Sequence, residues 1–370
     1  MFTYTRKKII FITGFFPLYQ GGAEYQAFVL ANKLIEHYDI YFIVRDHSDE
    51  INYIRKKFNE YRILLIKPVK ILGYKKTYIF ESVNLYNIIS EISPHYIYAR
   101  GANGYLAVAA RYSQTHDCSL IWHIAHENDV TPFKFNKIQT VFFDYVDFLA
   151  IRYGIQRAHC IIAQTNKQKE LLQQNHGLHC GTVIGNWHPT PDDCVKPKEP
   201  ITIVWIANWK PIKQPQLFVQ CVEGLPQNDS FRFIMLGRTT GYDALVLRAR
   251  SAHIEVMGEI PIEAVNELLA TSHLLVNTSV QEGFSNTFIQ AWLHRVPVVS
   301  LQVDPDDILK KYAIGCHSKN MDQLALDVLR LATDHALRED MGERARAFAL
   351  RNHSLDNLKE MESILLRLGD

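Results

Sequence analysis

The run Leu274-Leu275-Val276-Asn277 leads through Thr278, Ser279 and Val280 into Gln281-Glu282-Gly283-Phe284-Ser285-Asn286-Thr287-Phe288-Ile289-Gln290-Ala291-Trp292. Four apolar-rich residues make a short buried strand, the polar residues around Gly283 a loop, and Ser285 a cap for a helix predicted to continue to Arg295. Glu282 is thereby placed in the loop above a sheet, and Gln290 about one turn inside the helix. Free amides of Asn286 and Thr287 at that helix start suit a phosphate, Glu282 a sugar, and Gln290 a ribose.

Outward from this unit the same alternation fills the chain. Runs at 9–13, 40–44, 63–66, 96–99, 120–123, 161–163 and 182–184 read as strands of one sheet, and 201–207, 231–236, 254–257, 274–277 and 297–301 as five strands of another. Helical patterns lie between them, such as 23–37 with Ala27, Ala31, Leu34 and Ile35 on one face, and a helix through His176 opened by Thr165 and Gln168 as a capping box. The fold class is α/β with parallel sheets covered on both faces. Pro189, Pro191, Pro197 and Pro200 mark a linker. The expected domains are 1–185, a linker 186–200, and 201–353, with a last helix at 354–370 crossing back to the first domain. No sequence repeat is evident.

With 370 residues, 47% hydrophobic and 21% charged, the chain has an ordinary globular composition and enough length for two cores. A net charge of +1 gives no reason to expect nucleic acid. Positive charge is locally dense at Arg6 to Lys8, at Arg55 to Lys57, and from Lys67 to Lys76, where Lys67, Lys70, Lys75 and Lys76 interleave with Ile71, Leu72 and Tyr74; a face resting on anionic membrane is one reading. Six scattered cysteines suggest neither a zinc ribbon nor a disulfide scaffold, and fit a reducing compartment. Arg6 to Lys8 before an apolar stretch imitates a secretory signal, but Pro17, Gln20, Gly21 and Gly22 follow it, so a first strand is expected. With no run near ~18 apolar residues, the expected location is cytoplasmic, peripheral at the inner face of the membrane.

Several further residues sit where chemistry is done. Gly21 and Gly22 adjoin a helix start and permit backbone to approach an anion, although they do not make a dinucleotide fingerprint. Lys213 opens a predicted helix, where a cation opposes the dipole unless an anion is near. His123, His126 and Glu127 have the residue types of a metal site without the spacing of a helical zinc motif, and Asp304 with Asp306 reads as a turn. Trp205, Trp209 and Trp292 read as core or wall.

Glu282-Gly283-Phe284 with a residue eight positions after the glutamate resembles the signature of glycosyltransferase family 4, whose members have the GT-B fold. The resemblance extends over nearly the whole chain: Phe16-Pro17, Gly21 to Glu24, His126, Gly185-Asn186, Lys213 and Pro297 to Val299. It implies two Rossmann-like doubly wound parallel-sheet domains facing a central cleft. It also implies a retaining, metal-independent transfer of a sugar from a nucleotide-diphosphate sugar, a UDP-sugar foremost, to a glycan or lipid-linked glycan in bacterial surface polysaccharide assembly, with no cofactor. By position, Glu282 holds the donor sugar, Lys213 and Gly22 face the diphosphate, His126 contacts the sugar near the acceptor side, and Gly258, Glu259 and Ile260 read the base. Gln290 stands where the family has a second glutamate, and Ala207-Asn208 where it has Gly-Arg; Lys210 is a candidate replacement, without the fork of an arginine. Those departures keep two rivals open: a nucleotide-sugar epimerase of the same fold, and a subunit that binds nucleotide sugar without catalysis.

Overall fold

The computed structural model describes residues 6–45, 51–69, 78–132, 141–226 and 228–369. It divides into one unit of Met1–Asn186 with Asn357–Asp370 and a second of Trp187–Asp356. In the first unit, β1 (Lys8–Ile12), β2 (Asp39–Arg45), β3 (Arg62–Ile66), β4 (Tyr96–Arg100), β5 (Ser119–His123), β6 (Cys160–Ala163) and β7 (Thr182–Val183) form a parallel sheet in the order β3-β2-β1-β4-β5-β6-β7. Helices α1 (Gly22–Leu34), α2 (Ile51–Lys57), α3 (Tyr78–Ile92), α4 (Tyr105–Ser113), α5 (Val141–Ile155) and α6 (Asn166–His176) make its crossovers. A sheet covered on both faces gives strands without alternation, and all five residues of β4 are buried.

The second unit repeats the plan with β8 (Ile201–Ile206), β9 (Phe231–Leu236), β10 (Ile254–Gly258), β11 (Leu274–Asn277), β12 (Val298–Ser300) and β13 (Gly315–His317), ordered β10-β9-β8-β11-β12-β13. Its helices are α7 (Pro215–Glu223), α8 (Asp243–Ser251), α9 (Ile262–Thr271), α10 (Asn286–Leu293), α11 (Ile308–Lys311), α12 (Met321–Thr333) and α13 (His335–Asn352). Helix α14 (Asn357–Gly369) belongs to the first unit, where Tyr96 donates to the Leu365 carbonyl at 2.9 Å and Lys33 lies 3.9 Å from Glu362.

Local chemistry accounts for where the elements differ from expectation. Strand β13 was not expected, because Gly315, Cys316 and His317 are half-buried and carry no apolar run. Helix α10 ends at Leu293 rather than Arg295: Arg295 takes the left-handed conformation (φ 56°), Val296 N–H returns to the Ala291 carbonyl at 2.8 Å, and Arg295 N–H to that of Trp292 at 2.9 Å. Thr165 caps α6 by accepting from Gln168 N–H at 3.1 Å, but the Gln168 side chain returns to Gln164 N–H at 2.8 Å, so the box closes one residue early. The proline-rich stretch has no regular structure, yet Trp187 and His188 are buried, and His188 N–H donates to the His353 carbonyl at 2.9 Å.

One device recurs three times at the amino ends of the strands. His95, His159 and His273 each stand one residue ahead of a strand. Each donates its N–H to a carbonyl on the neighbouring strand, of Lys8 (3.0 Å), Leu120 (2.8 Å) and Thr202 (2.8 Å), and each accepts the N–H of that same residue on Nδ1, at 3.1, 3.1 and 2.9 Å. His273 also makes an Nε2 contact of 2.9 Å with the Pro197 carbonyl, which requires the neutral ring with its proton on Nε2.

Burial, reinforced by the charges of Lys196 and Arg338, pulls His273 down to about 4 from its ordinary 6.5. Between those values the unfolded chain takes up a proton that the folded ring refuses, so this contribution is complete above pH 6.5 and gone below about 4. Buried His188 and His294 are depressed in the same sense. The denaturant midpoint should therefore fall steadily from pH 6.5 toward 4. His273→Gln should lower the unfolding free energy at neutral pH by about 1–3 kcal/mol and make the midpoint's decline with acid shallower than in the wild type. Equal slopes in the two proteins would remove His273 from the account.

Candidate active site

In the second sheet the winding direction reverses between β8 and β11, and the two loops leaving those carboxyl ends lie side by side at the place where open α/β sheets take ligands. Glu282 and Lys213 come from these two loops, 278–285 and 207–214. Buried Thr278 joins them: its Oγ accepts from Trp205 Nε1–H at 2.9 Å, and its single proton is shared by the carbonyls of Lys213 (2.8 Å) and Gln214 (3.0 Å). A backbone bond from Val280 N–H to the Ile212 carbonyl (2.9 Å) completes the seam. Gln214 is held at φ 48° immediately before Pro215, a left-handed conformation that a non-glycine residue keeps only when its surroundings insist.

On this seam the Lys213 ammonium pairs with Oε1 of Glu282, which also accepts from Ser279 Oγ at 2.7 Å. Ser279 is braced in turn by Asn277 at the end of β11, at 3.1 and 3.2 Å. The sequence reading singled out both charged residues without bringing them into contact. Lys213 does not open a helix: it ends a 3₁₀ turn of Pro211–Lys213, with Lys210 exposed at its start, and α7 begins two residues later.

Around the pair, Asn286 and Thr287 occupy the first turn of α10, at the positive end of the helix dipole. Ser285 stands at the cap position, but its hydroxyl lies 2.8 Å from that of Thr287, so it does not cap through its side chain. Asn286 Oδ1 is 3.3 Å from His188 Nε2. Gln290 is buried and gives its amide to Asn266 on α9 at 3.1 Å. The ring of Phe284 packs in the core against Trp292 and His353, with centroids 6.2 and 4.6 Å away, so it supports the loop from beneath and offers no face to a ligand.

Gly258 ends β10 at φ 74° and accepts from Gly237 N–H at 2.7 Å; Ile260 packs on the core, and Glu259 forms a two-point pair with Arg238 at 2.9 and 3.0 Å. Arg238 was missed by the sequence reading. Its backbone N–H donates to Asn208 at 3.0 Å, so a guanidinium stands on the edge where Ala207-Asn208 had removed one. The available signal was Gly237-Arg238 directly after a strand. A side chain at Gly237 would collide with the Ala207 carbonyl.

In the first unit, Gly21 caps α1 and Gly22 begins it, but the Glu24 carboxylate folds back so that a Cβ at Gly21 would strike it. The expected anion place at that helix end thus carries a carboxylate of the chain itself. His126 heads a 3₁₀ turn, accepting from Asn128 N–H on Nδ1 at 3.1 Å, while its own backbone N–H donates to Asp129 at 3.0 Å. His123 is buried, 2.8 Å from Tyr98 and 3.1 Å from Arg100, and burial beside that guanidinium holds it well below its usual range. Asp304 Oδ1 accepts from Leu309 N–H at 2.8 Å. Among the described residues no group of three His, Cys, Asp or Glu is placed to hold a metal.

Residues 200–334 match the family model of glycosyl transferases group 1. The N-acetyl-alpha-D-glucosaminyl L-malate synthase of Bacillus anthracis is 25% identical over 219 residues, 53% of this chain and 56% of that protein. The match thus spans about half the length of that curated relative. Anabaena HepE in complex with UDP and glucose superposes with a TM-score of 0.75 at 16% identity, covering 98% of this chain and 100% of the other. WaaG, a glycosyltransferase involved in lipopolysaccharide biosynthesis, does so with 0.74 at 13%, covering 96% and 99%. The fold is that of GT-B glycosyltransferases: two Rossmann-like units with parallel sheets.

Because Thr278 satisfies an indole N–H and two carbonyls at once, Thr278→Val, which keeps shape and drops the hydroxyl, should lower unfolding free energy by about 1–3 kcal/mol. Amide exchange at Val280 should quicken at least ~10-fold as the seam loosens. Wild-type protection at Val280 in a destabilised variant would mean that the loops are held together elsewhere.

Proposed function

We propose that the protein transfers a sugar from a nucleotide-diphosphate donor, a UDP-sugar foremost, to a glycan or lipid-linked glycan acceptor, without a resident metal and with retention at the anomeric carbon. The observation that carries this reading is the contact of Lys213 with Glu282 on the loops where the second sheet reverses, inside the segment that matches glycosyl transferases group 1. A diphosphate leaves with growing negative charge, and the groups assigned to meet it are the Lys213 ammonium and the first-turn amides of α10. Glu282 is assigned the sugar hydroxyls, the backbone of Gly258 to Ile260 the base, and Gln290 the ribose. His126 and Gly22 keep the roles that the resemblance implies.

Retention is what the resemblance implies; with Glu282 turned to Lys213 and Ser279 and no carboxylate pair assigned beside the sugar, a double-displacement route through a covalent glycosyl-enzyme is the less supported way to reach it. The acceptor hydroxyl then attacks on the side the diphosphate leaves, and a phosphate oxygen takes its proton. The UDP and glucose of HepE support the donor class, and the biosynthetic role of WaaG supports surface polysaccharide assembly.

Glu282→Gln should slow transfer by about ten- to a hundredfold, because a hydrogen bond to a charged group is worth about 1.5–3 kcal/mol. The same change releases Lys213 from its partner, so UDP should bind the variant at least as tightly as the wild type, whereas Lys213→Ala should weaken UDP directly. Transfer at the wild-type rate by a folded Glu282→Gln protein would sink the site assignment. UDP release without any acceptor product would favour an epimerase or hydrolase, and binding without release a non-catalytic subunit.

Transfer should also continue in excess chelator. Complete loss, restored by manganese or magnesium, would move the diphosphate contact to a metal held near Asp304 and Asp306.

A further inference from the structure

Of the features that the sequence singles out in the first unit, the lysines from Lys67 to Lys76 lie mostly outside the described residues, while His126 lies within them. We propose that Asp129 and Gln164 are positioning residues for the transfer reaction, fixing the backbone of Ile124 to His126 at the head of β5 and so the place and tautomer of the His126 imidazole. A loop that leaves a parallel strand loses its ladder, and its N–H and C=O groups ordinarily turn to water. Here side chains meet them. Asp129 Oδ2 accepts from the N–H groups of Ala125 (2.9 Å) and His126 (3.0 Å), and Oδ1 from that of Ala102 (3.3 Å) just past β4. Gln164, the residue after β6, gives its amide N–H groups to the carbonyls of Ile124 (2.7 Å) and Ala125 (3.0 Å). Its own backbone N–H is held by the Gln168 side chain at 2.8 Å, and Asn175 on α6 donates to the Val130 carbonyl at 2.9 Å. The loops leaving three adjacent strands, β4, β5 and β6, are thereby joined at one place on the carboxyl edge of the first sheet.

Closing a turn needs far less than this. The reciprocal box of the 3₁₀ turn at Glu127–Asp129 uses the bond from His126 N–H to Asp129 and stops there. The bonds of the same carboxylate to Ala125 and Ala102, and both bonds of Gln164, lie outside that box. An ionised carboxylate suits the place because both its oxygens accept and neither carries a proton. What the additional bonds determine is the residue that follows Ala125. Ala125 is gripped through its N–H by Asp129 and through its carbonyl by Gln164, so the peptide plane leading into His126 is fixed at both ends. The ring is then oriented by Asn128, whose N–H is accepted on Nδ1 at 3.1 Å, which places the ring proton on Nε2. The imidazole is thus presented as a donor at Nε2, the polarity that a sugar oxygen requires, and supporting bonds of this kind are what keep a reacting group in its productive geometry. The part played in transfer rests on the assignment of the sugar to His126; the hold on the loop does not.

The test compares Asp129→Asn, Gln164→Leu and His126→Ala in the full chain. Two readings need no substrate. Amide exchange at Ala125 and His126 should quicken at least ~10-fold in Asp129→Asn, and nitrogen-15 spectra should show His126 protonated at Nε2 in the wild type and as mixed tautomers in the variant. Release of UDP from UDP-glucose or UDP-N-acetylglucosamine should fall about ten- to a hundredfold in Asp129→Asn and in Gln164→Leu, the scale set by a small misplacement of a reacting group, while the affinity for UDP itself stays at the wild-type value. Adding Asp129→Asn to His126→Ala should lower release no further, because a side chain that acts through the imidazole has no effect once the imidazole is gone. A merely structural role would instead give losses that add. Additive losses, unchanged exchange at Ala125 and His126, or wild-type release by folded Asp129→Asn would each overturn the assignment, and Gln164→Leu supplies the same readings should Asp129→Asn fold poorly. A wild type that binds UDP but releases none from either donor would count against the transfer reading alone, with exchange and tautomer still deciding whether the two residues set His126.

Discussion

The Thr278 hydroxyl is where the second unit is made fit for a ligand. A doubly wound sheet reverses direction once, and at that reversal two loops rise from adjacent strands with no hydrogen-bond ladder to hold them. Here a buried hydroxyl spans the gap, taking a proton from Trp205 in one strand and sharing its own with two carbonyls of the opposite loop. The strained backbone of Gln214, the carbonyl positions around Lys213 and the approach of its ammonium to Glu282 follow from that bridge. The charged pair is therefore a product of neutral hydrogen bonding beneath it.

The architecture was legible because parallel strands covered on both faces are written as short unbroken apolar runs. All seven strands of the first sheet and five of the second were expected at their places, although β7, two half-buried residues, and β10, with Glu255 exposed, are not unbroken runs. Strand β13 was not, being three half-buried residues that, among the described residues, pair with β12 alone. At the site, Glu282 could be singled out by residue type and place, in a loop before a helix, whereas the helix-start argument for Lys213 did not hold, since that lysine ends a 3₁₀ turn and was reached only through the resemblance.

What the sequence could not carry is which side chains turn toward each other. Phe284 is indistinguishable in sequence from a ligand-facing aromatic, and only its packing against Trp292 and His353 shows that it is a foundation for the loop. Gly21 reads as an opening for phosphate until the folded-back carboxylate of Glu24 supplies another reason for the glycine. Arg238 escaped for the opposite reason: its guanidinium belongs to a strand neighbour of Asn208 and lies thirty positions away in the chain. The three histidines that stand before strands share too little sequence around them to register as a repeat.

Those histidines bear on an old difficulty of parallel sheets. Hairpins index their strands by the turn that joins them, but parallel neighbours are joined by long crossovers that leave their alignment to side-chain packing. His95 joins β4 to β1 and His273 joins β11 to β8, the two strand pairs across which each sheet reverses. Each such pair is thus pinned at its foot by a two-point clasp and parts at its head into loops. From Thr202 to the end of β8 is only about 13 Å at the rise of a parallel strand. A slip of one residue at the foot would turn Asn277 to the opposite face and carry Thr278 out of reach of Trp205. The alignment of the two loops that carry Lys213 and Glu282 is in this sense set at the far side of the sheet, by an imidazole remote from both.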